Sequence, residues 1–506
     1  MKIKIIFSSI IISILGACSV PLSVFAQEDT VMPPLLDVIR IGLENNYGLK
    51  IGQQELNTSI GKEQAYSGAF SPLFGVDVDA MWGINPSVSY DNPQSADAYL
   101  FLPTKFGVDF QVGVAYGRQY DLSTRNADGS PVSEYYNGAF IGFNTPLLRG
   151  FGLNNSNYLK SQSAKLEREA AKINFDYEVM SYICDIGKAY IQYYFSLCSY
   201  YIQDSILDDF GKLIKSMQLK IDNKVMPEAS ILPLQARQKQ LESELASYRI
   251  LSYSKYYELQ TLMGVSKTLQ HFPKLLAKTL QLNISDFEQV VVSVFPNIDE
   301  IVENNMLIQV QTAKLRMAEV ERNLANNERY SDLNLGFKVN YYSFMTEQKW
   351  NTFLTYPDSH YPGASYNLTL SYKLPLLNDV AAGNFMIKDA QYQISKEVYE
   401  QIQMQLKHNL QTIISALSNQ SQIYKMNLEV NQLKSKVLEN ANLTYSLGTT
   451  SILDLITAHE DYVATFHNLY QSEMQMAGYW LDFLLLSNKM PNSSDKLSNW
   501  EQQYWR

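Results

Sequence analysis

Most of this chain places apolar residues three and four positions apart, while a few short regions place them at every second position. Leu166, Ala170, Ile173, Tyr177, Met180, Cys184, Gly187, Ile191 and Tyr194 step by fours and threes. That is a heptad seam, and it predicts one helix from Leu153 to about Lys224 that packs against partner helices. Ile387, Ala390, Ile394, Val398, Ile402, Leu406, Leu410, Ile413 and Leu417 repeat the pattern in a second helix, from about Leu377 to Leu447. Each approaches about 70 residues, or roughly 105 Å at about 1.5 Å per residue, beyond the helices of an ordinary globular core. The remaining helical segments are shorter. Pro33–Gly68 and Glu228–Gly264 together match the first long helix, and Pro296–Tyr330 and Ser451–Asn488 together match the second. The simplest geometry stacks two short helices end to end beside each long one.

The alternating regions predict strands. Leu335, Phe337, Val339 and Tyr341 alternate with Asn334, Gly336, Lys338 and Asn340, and Tyr366, Leu368, Leu370, Tyr372 and Leu374 alternate with Asn367, Thr369, Ser371 and Lys373. Val76, Val78, Ala80 and Trp82 do the same around Asp77, Asp79 and Met81. Segments of about ten residues, apolar on one face, suit an outer-membrane barrel, although a half-buried soluble sheet has the same period. Phe106, Val108, Phe110, Val112, Val114 and Tyr116 also alternate, and Gly138–Pro146 supplies another strand. Three strands in the first half cannot return the chain to the side it left. One is therefore expected to extend beyond the membrane or not to cross, with Leu73–Ile84 and Gly138–Pro146 as the crossing pair.

Strand passes into helix twice, through "NTPLLRGFGLNN" at 144–155 and "YKLPLLNDVAAGN" at 372–384. A phosphate cradle would need a Lys-Ser/Thr pair after its last glycine or a G-x-G-x-x-G run, and neither passage has one. Pro146 and Pro375 instead end strands, because proline cannot continue a central ladder, and Gly150 and Gly152 permit the turn. Other segments repeat too: "VIRIGLENN" (38–46) parallels "IDEIVENN" (298–305), and Ser230-Ile231-Leu232 parallels Ser451-Ile452-Leu453. An internal duplication explains these matches economically.

Composition narrows the classes. The 35 tyrosines suit sites where one end of the ring is apolar and the other wet. A net charge of −10 argues against a nucleic-acid partner, which needs concentrated Lys and Arg. Beyond the N-terminus there is no uninterrupted apolar run of about 18 residues, so membrane contact is expected from strands. Lys2 and Lys4 precede the apolar run Ile5–Leu15, an export signal with two candidate ends. Val24-Phe25-Ala26 resembles an ordinary cleavage site, while Leu15-Gly16-Ala17-Cys18 resembles a lipobox that would leave Cys18 lipidated. Cys184 and Cys198 lie fourteen residues apart in one predicted helix, roughly 21 Å at about 1.5 Å per residue and too far for a disulfide. They read as small core thiols. The histidines at 271, 360, 408, 459 and 467 form no H-E-x-x-H, and no C-x-x-C or G-x-S-x-G occurs. His459 and His467 read as a solvated helix face. No enzyme, cofactor or metal site is expected.

The whole pattern resembles the TolC-like outer membrane efflux protein family over most of residues 33–490: duplicated halves, "PLLRGFG" after a strand, and above all "YSLGTTSILDLITAHE" at 445–460. The resemblance implies an α+β membrane protein in which each half combines transmembrane strands with long antiparallel helices. Four crossing strands per chain cannot close a barrel, and the family closes it with three copies, so a homotrimeric, twelve-stranded barrel in outer membrane lipid is expected. That barrel would continue into an α-helical tunnel across the periplasm. The expected divisions are a signal at 1–26 (or to 17, with lipidated Cys18), a first repeat at 33–264, a connecting equatorial segment at 265–295, a second repeat at 296–490 and a tail at 491–506. By the same resemblance the chain is an exit duct for small molecules or proteins, working with an inner-membrane transporter and a periplasmic adaptor (a membrane fusion protein). The turn tips, Val225, Met226 and Pro227 with Leu447, Gly448 and Thr449, would meet the adaptor. Asp454 matches a constriction carboxylate and Tyr445 a gating tyrosine, whereas Thr450 and Thr457 replace charged residues expected at the gate. Pro233 stands where the tyrosine's polar partner can be, and Pro227 and Pro233 suggest a stiffened or kinked tip. Two readings compete. Asp454 also fits a plain helix N-terminal turn, and a periplasmic coiled-coil adaptor or a surface adhesin or receptor would also carry long helices.

Overall fold

A computed structural model of the chain describes residues 32–80, 94–125, 127–129, 131–267, 269, 272–273, 297–345, 361–497 and 500. Cys18, both candidate cleavage sites, residues 81–84 and most of the connecting segment lie outside them. The chain forms two compact units, one within 1–50, 178–298 and 408–506, the other within 51–177 and 299–407.

The second unit holds an antiparallel sheet of six strands in chain order: β1 (Leu73–Ala80), β2 (Gln94–Pro103), β3 (Asp109–Arg125), β4 (Pro131–Pro146), β5 (Asp332–Met345) and β6 (Tyr361–Lys373). Four of these belong to the first half, not three, so the chain does return to the side it left. The parity problem is removed by β2, which alternation alone did not reveal. Its apolar face carries Ala96 and Ala98 ahead of Leu100 and Leu102, while Tyr99 and Phe101 sit on the other face. Phe106 and Val108, expected in a strand, lie in the β2–β3 connection.

Directly opposed residues of an antiparallel pair share a face, so the register sorts the side chains. Phe74, Leu100, Val112, Ile141, Val339 and Tyr366 form one row across all six strands. Leu102, Phe110, Phe143, Phe337 and Leu368 form another, from β2 to β6. This face is apolar and open, with Leu368 70% exposed. The opposite face carries Asp97, Gln111, Lys338, Asn340 and Asn367. Aromatic rings on the polar face lie over glycines: a Cβ at Gly117 would collide with the Tyr136 ring. A bulge interrupts β3–β4 pairing between Asp121 and Arg125. The strands pass into helix as expected: β4 ends at Pro146, and Gly150 and Gly152 take positive φ before the helix starts.

The helical segments follow the predicted lengths with one systematic difference. The long helices are α3 (Ser156–Asp222, 67 residues) and α7 (Asp379–Ser446, 68 residues). Each short N-terminal helix, however, is broken at an Asn-Asn pair: α1 (Leu35–Asn45) from α2 (Tyr47–Ser67), and α5 (Ile298–Glu303) from α6 (Met306–Asn327). The second asparagine starts the next helix both times. Asn46 Oδ1 accepts from the Leu49 N–H at 3.0 Å, and Asn305 Oδ1 from the Leu307 N–H at 2.9 Å. Apolar periodicity runs straight through such a break, so it does not register in a pattern of faces. The return helices are α4 (Leu232–Met263) and α8 (Ile452–Leu486).

In the first unit α1, α3, α4 and α8 bury apolar side chains, among them Ile39, Ile183, Tyr190, Leu259 and Phe483. Small residues allow the expected close approach, with Gly187 of α3 against Leu481 of α8. Asn46 Nδ2 donates to the Leu262 carbonyl at 2.8 Å, and Gly264 lies against Asn45, so the end of α4 meets the α1–α2 break. Cys184 and Cys198 are free and buried in α3. The α7 seam changes character along its length: Leu406, Leu410 and Leu417 are buried, whereas Ile387 and Ile394 are exposed. None of the described helices is long and apolar enough to cross a membrane.

Candidate functional site

The two turns that join long helices to return helices hold every gate and tip residue proposed from sequence. Both long helices end the same way. At the end of α3, the Val225 N–H donates to the Lys220 carbonyl at 2.9 Å and the Lys224 N–H to the Ile221 carbonyl at 2.8 Å. At the end of α7, Thr449 donates to Thr444 at 3.0 Å and Gly448 to Tyr445 at 3.1 Å. These are paired bonds of a left-handed helix terminator. Lys224 sits at φ 61° and Gly448 at φ 78°.

Beyond the terminators the turns differ. Pro227 precedes a short 3-10 turn, Glu228–Ile231, and α4 then starts with Pro233 in its first turn. There the missing N–H is harmless, so Pro233 begins a helix and does not kink one. The second turn leads into α8 through a capping box. Ser451 Oγ accepts from the Asp454 N–H at 3.1 Å, and Asp454 Oδ2 accepts from the Ser451 N–H at 3.3 Å and from its hydroxyl at 2.7 Å. Asp454 is exposed and its carboxylate is engaged with its own helix start. The plain helix-start reading is thus realised in the single chain.

Tyr445 points inward. It is 8% exposed within a core of Phe210, Met217, Ile231, Leu234 and Leu455. Its hydroxyl donates to Met217 Sδ at 3.9 Å, and Lys220 Nζ stands 4.9 Å from its ring centre. Burial raises its pKa. Thr450 Oγ1 donates to Thr444 Oγ1 at 2.7 Å, and Thr457 Oγ1 to the Leu453 carbonyl at 3.0 Å, so both hydroxyls are held locally. The outward residues are apolar: Val225 is 72% and Leu447 69% exposed, with Pro227, Gly448 and Thr449 exposed beside them and Met226 half-buried. Met217 and Lys220, which frame Tyr445, were not singled out from sequence. Their signal was only a position on the inner seam of α3.

Behind the turns, α8 is fastened to α3 and α4 by groups that sequence reading assigned to solvent. His459 packs edge-on against Phe210, 5.3 Å between centres, and His467 stacks on Tyr248 at 5.0 Å and 12°. The solvated-face reading of these histidines is wrong. Periodicity shows which face a residue is on but not whether a neighbour's aromatic ring covers that face. Burial lowers the pKa of both, against the opposing pull of Asp209 on His459 and of Glu244 on His467. Arg237 bridges Glu244 of α4 and Glu460 of α8, both at 3.1 Å. Further along α8, burial pushes Glu473 up to about 7.

The strand-to-helix passage, which lacks a phosphate-cradle motif, fastens β4 and the start of α3 to α6. The Gly150 N–H donates to Asn327 Oδ1 at 3.1 Å, Asn327 Nδ2 donates to the Asn154 carbonyl, and Arg149 pairs with Asp332 at 2.8 Å. A groove of about 610 Å³ runs beside them, lined also by Leu377 and Val380. The N–H that a phosphate would need is tied to α6.

No protein-family model matches the chain, and no curated protein matches it by sequence. Solved structures do match in fold. The Campylobacter jejuni CmeC outer membrane channel aligns over 93% of this chain and 90% of that chain at 11% identity, with a TM-score of 0.60. The outer membrane protein VceC of Vibrio cholerae aligns over 90% and 95% at 14% identity and 0.60. The open state of the Neisseria gonorrhoeae MtrE outer membrane channel aligns over 90% and 89% at 14% identity and 0.58. With most of this chain and of each channel aligned, the chain has the fold of these outer membrane channels.

Proposed function

We propose that the chain is an outer-membrane exit duct, passing small molecules or proteins out of the cell with an inner-membrane transporter and a periplasmic adaptor. The observation that carries this reading is the open apolar face that crosses all six strands with a polar face behind it. An exposed apolar surface of that extent needs lipid against it. The likeness to outer membrane channels supports the same location. A periplasmic adaptor would have no use for such a face, and a surface adhesin or receptor would leave the two long helices without a reason to be duplicated.

The duct requires more than one copy. Six strands cannot close on themselves, and open edges are not tolerated in lipid. Ile387 and Ile394, seam positions left exposed on α7, are suited to a neighbouring copy's helices. Three copies is the number that the resemblance implies. At the helical turns, exposed Val225 and Leu447 suit an adaptor's apolar side chains. Copies of Asp454 brought round one axis would give the mouth a negative ring.

Purified protein in planar bilayers tests this. Cation-selective single channels are expected, blocked by multivalent cations from the side of the turns, with weaker block in Asp454→Asn. Recovery of the wild-type chain as a soluble periplasmic protein would reject the duct. Unchanged selectivity and block in Asp454→Asn would place that carboxylate off the pore.

A further inference from the structure

The strand count has a consequence for how the duct closes. We infer that each copy contributes six strands to the barrel wall, with β1 as its seam strand joined to β6 of the next copy; this rests on the duct reading. Four strands per copy was the sequence expectation, with Leu73–Ile84 and Gly138–Pro146 as the first half's crossing pair. In the observed strand order the contiguous four-strand wall is β3 to β6 instead, which would leave the β1–β2 hairpin outside it. The register argues against that. If β1 and β2 stood outside the lipid, their outward residues would have no reason to continue the apolar rows. They do continue them: Phe74 and Leu100 extend the row of Val112, and Ala96 and Ala98 oppose Tyr116 and Val114.

The edges are matched as well. Among the described residues, β1 pairs only with β2 and β6 only with β5. Both edges therefore present unpaired N–H and C=O groups, which lipid does not tolerate. With an even number of strands, β1 and β6 run in opposite directions, so β6 against a neighbour's β1 forms the same antiparallel ladder as every pair within the sheet. Apolar side chains on both edge strands lie on the same face of the sheet, Val76 and Val78 on β1, Leu368 and Leu370 on β6. Joining them keeps one face apolar around the whole ring. The occupant of each edge is thus a second copy of this chain. Three copies would build eighteen strands, and the barrel would be about half as wide again as one of twelve, since diameter grows roughly with strand number.

Cysteine cross-linking in the full-length protein, purified in detergent, tests the seam. Asp77→Cys on β1 is combined in turn with Ser365→Cys, Asn367→Cys, Thr369→Cys and Ser371→Cys on β6, all on the polar face. Oxidation is expected to give covalent multimers on a denaturing gel for at least one pairing, and none when the same β6 cysteines are combined with Gln111→Cys on β3. Cross-linking through Gln111→Cys but not Asp77→Cys would overturn the six-strand wall and leave the duct reading intact. So would the absence of any cross-link in oligomers whose mass in detergent is unchanged. A monomer in detergent would overturn both readings together.

Discussion

The two helical turns share one backbone solution and differ in how their residues suit it. At the end of α7 the left-handed position is Gly448, and α8 starts with the Ser451–Asp454 capping box. At the end of α3 the same position is Lys224, and the return runs through Pro227 without a side-chain cap. Apart from the proline's rigidity, the first turn is locally the less favourable. Its backbone course is held by packing around Met217, Ile231 and Leu234, and the second turn is additionally stabilised by its own residues. Local opening of this end is therefore expected to begin at the first turn, the less stable of the two.

The largest test of that contrast removes the core the turns share. Tyr445→Ala should lower the stability of this end by about 3 kcal/mol, the usual range for truncating a buried aromatic. Tyr445→Phe should cost little, because the hydroxyl gives up only a long bond to Met217 Sδ at 3.9 Å. Hydrogen-exchange protection of amides near Ser446 and Asp222 measures both. Equal loss in the two variants would mean that the hydroxyl, not the ring, holds the turn.

Next in size is the pH response of the return helices, which separates α8 from α4. Burial raises Glu473 to about 7, so the folded chain holds this proton more tightly than the unfolded one. Its contribution to stability is full below the ordinary glutamate value and is lost as pH rises toward 7. His459 and His467 act oppositely. With folded pKa values below the ordinary histidine value of about 6.5, they favour the folded state above that pH, and the advantage is lost as pH falls below it. Glu473→Gln should therefore stabilise the protein at pH 8 by on the order of 2 kcal/mol, allowing for its partial exposure, and have almost no effect at pH 4. A stabilisation of the same size at both pH values would show that the carboxyl's charge is not what burial penalises.

Much of this arrangement could be read before any coordinates, for a physical reason. Helix length, strand alternation and proline stops are local and periodic, so the 67- and 68-residue helices and five of the six strands stand out in the sequence. What did not stand out depends on neighbours distant in the chain. The strand β2 hides because Tyr99 and Phe101 on its polar face are accommodated by partners such as Gly75, opposite Tyr99. His459 and His467 look solvated until Phe210 and Tyr248 cover them. The Asn-Asn breaks were visible as a repeated string, but their capping role needed the backbone. Asp454 was legible only as two alternatives, and the capping box supplies one of them without excluding the other.

A cap and a gate can be told apart in the second turn. Ser451→Ala removes the acceptor for the Asp454 N–H while keeping the charge, and should destabilise the start of α8 by about 1 kcal/mol. Asp454→Asn removes the charge and keeps a side-chain acceptor, so exchange protection there should change less while channel block changes more. If both variants alter block equally, the charge acts only through the geometry of the turn.

The smallest expected effect is the most direct test of the contrast. Lys224 holds a left-handed backbone at φ 61°, where a side chain crowds its own carbonyl and glycine does not. Its side chain is exposed, and no shared core depends on it. Lys224→Gly should relieve the crowding, offset in part by the greater freedom glycine has in the unfolded chain, for a net gain of about 0.5 kcal/mol. Gly448→Ala should do the reverse, losing about 1 kcal/mol, since nothing lies within 4 Å of the added Cβ and only the backbone objects. Exchange at Val225 and Thr449, whose N–H groups close the two terminators, reports each turn separately. Substituting both positions at once should bring the two turns closer in stability. If exchange at Val225 does not slow in Lys224→Gly, packing alone sets the stability of the first turn, and the left-handed lysine is not what makes it the weaker one.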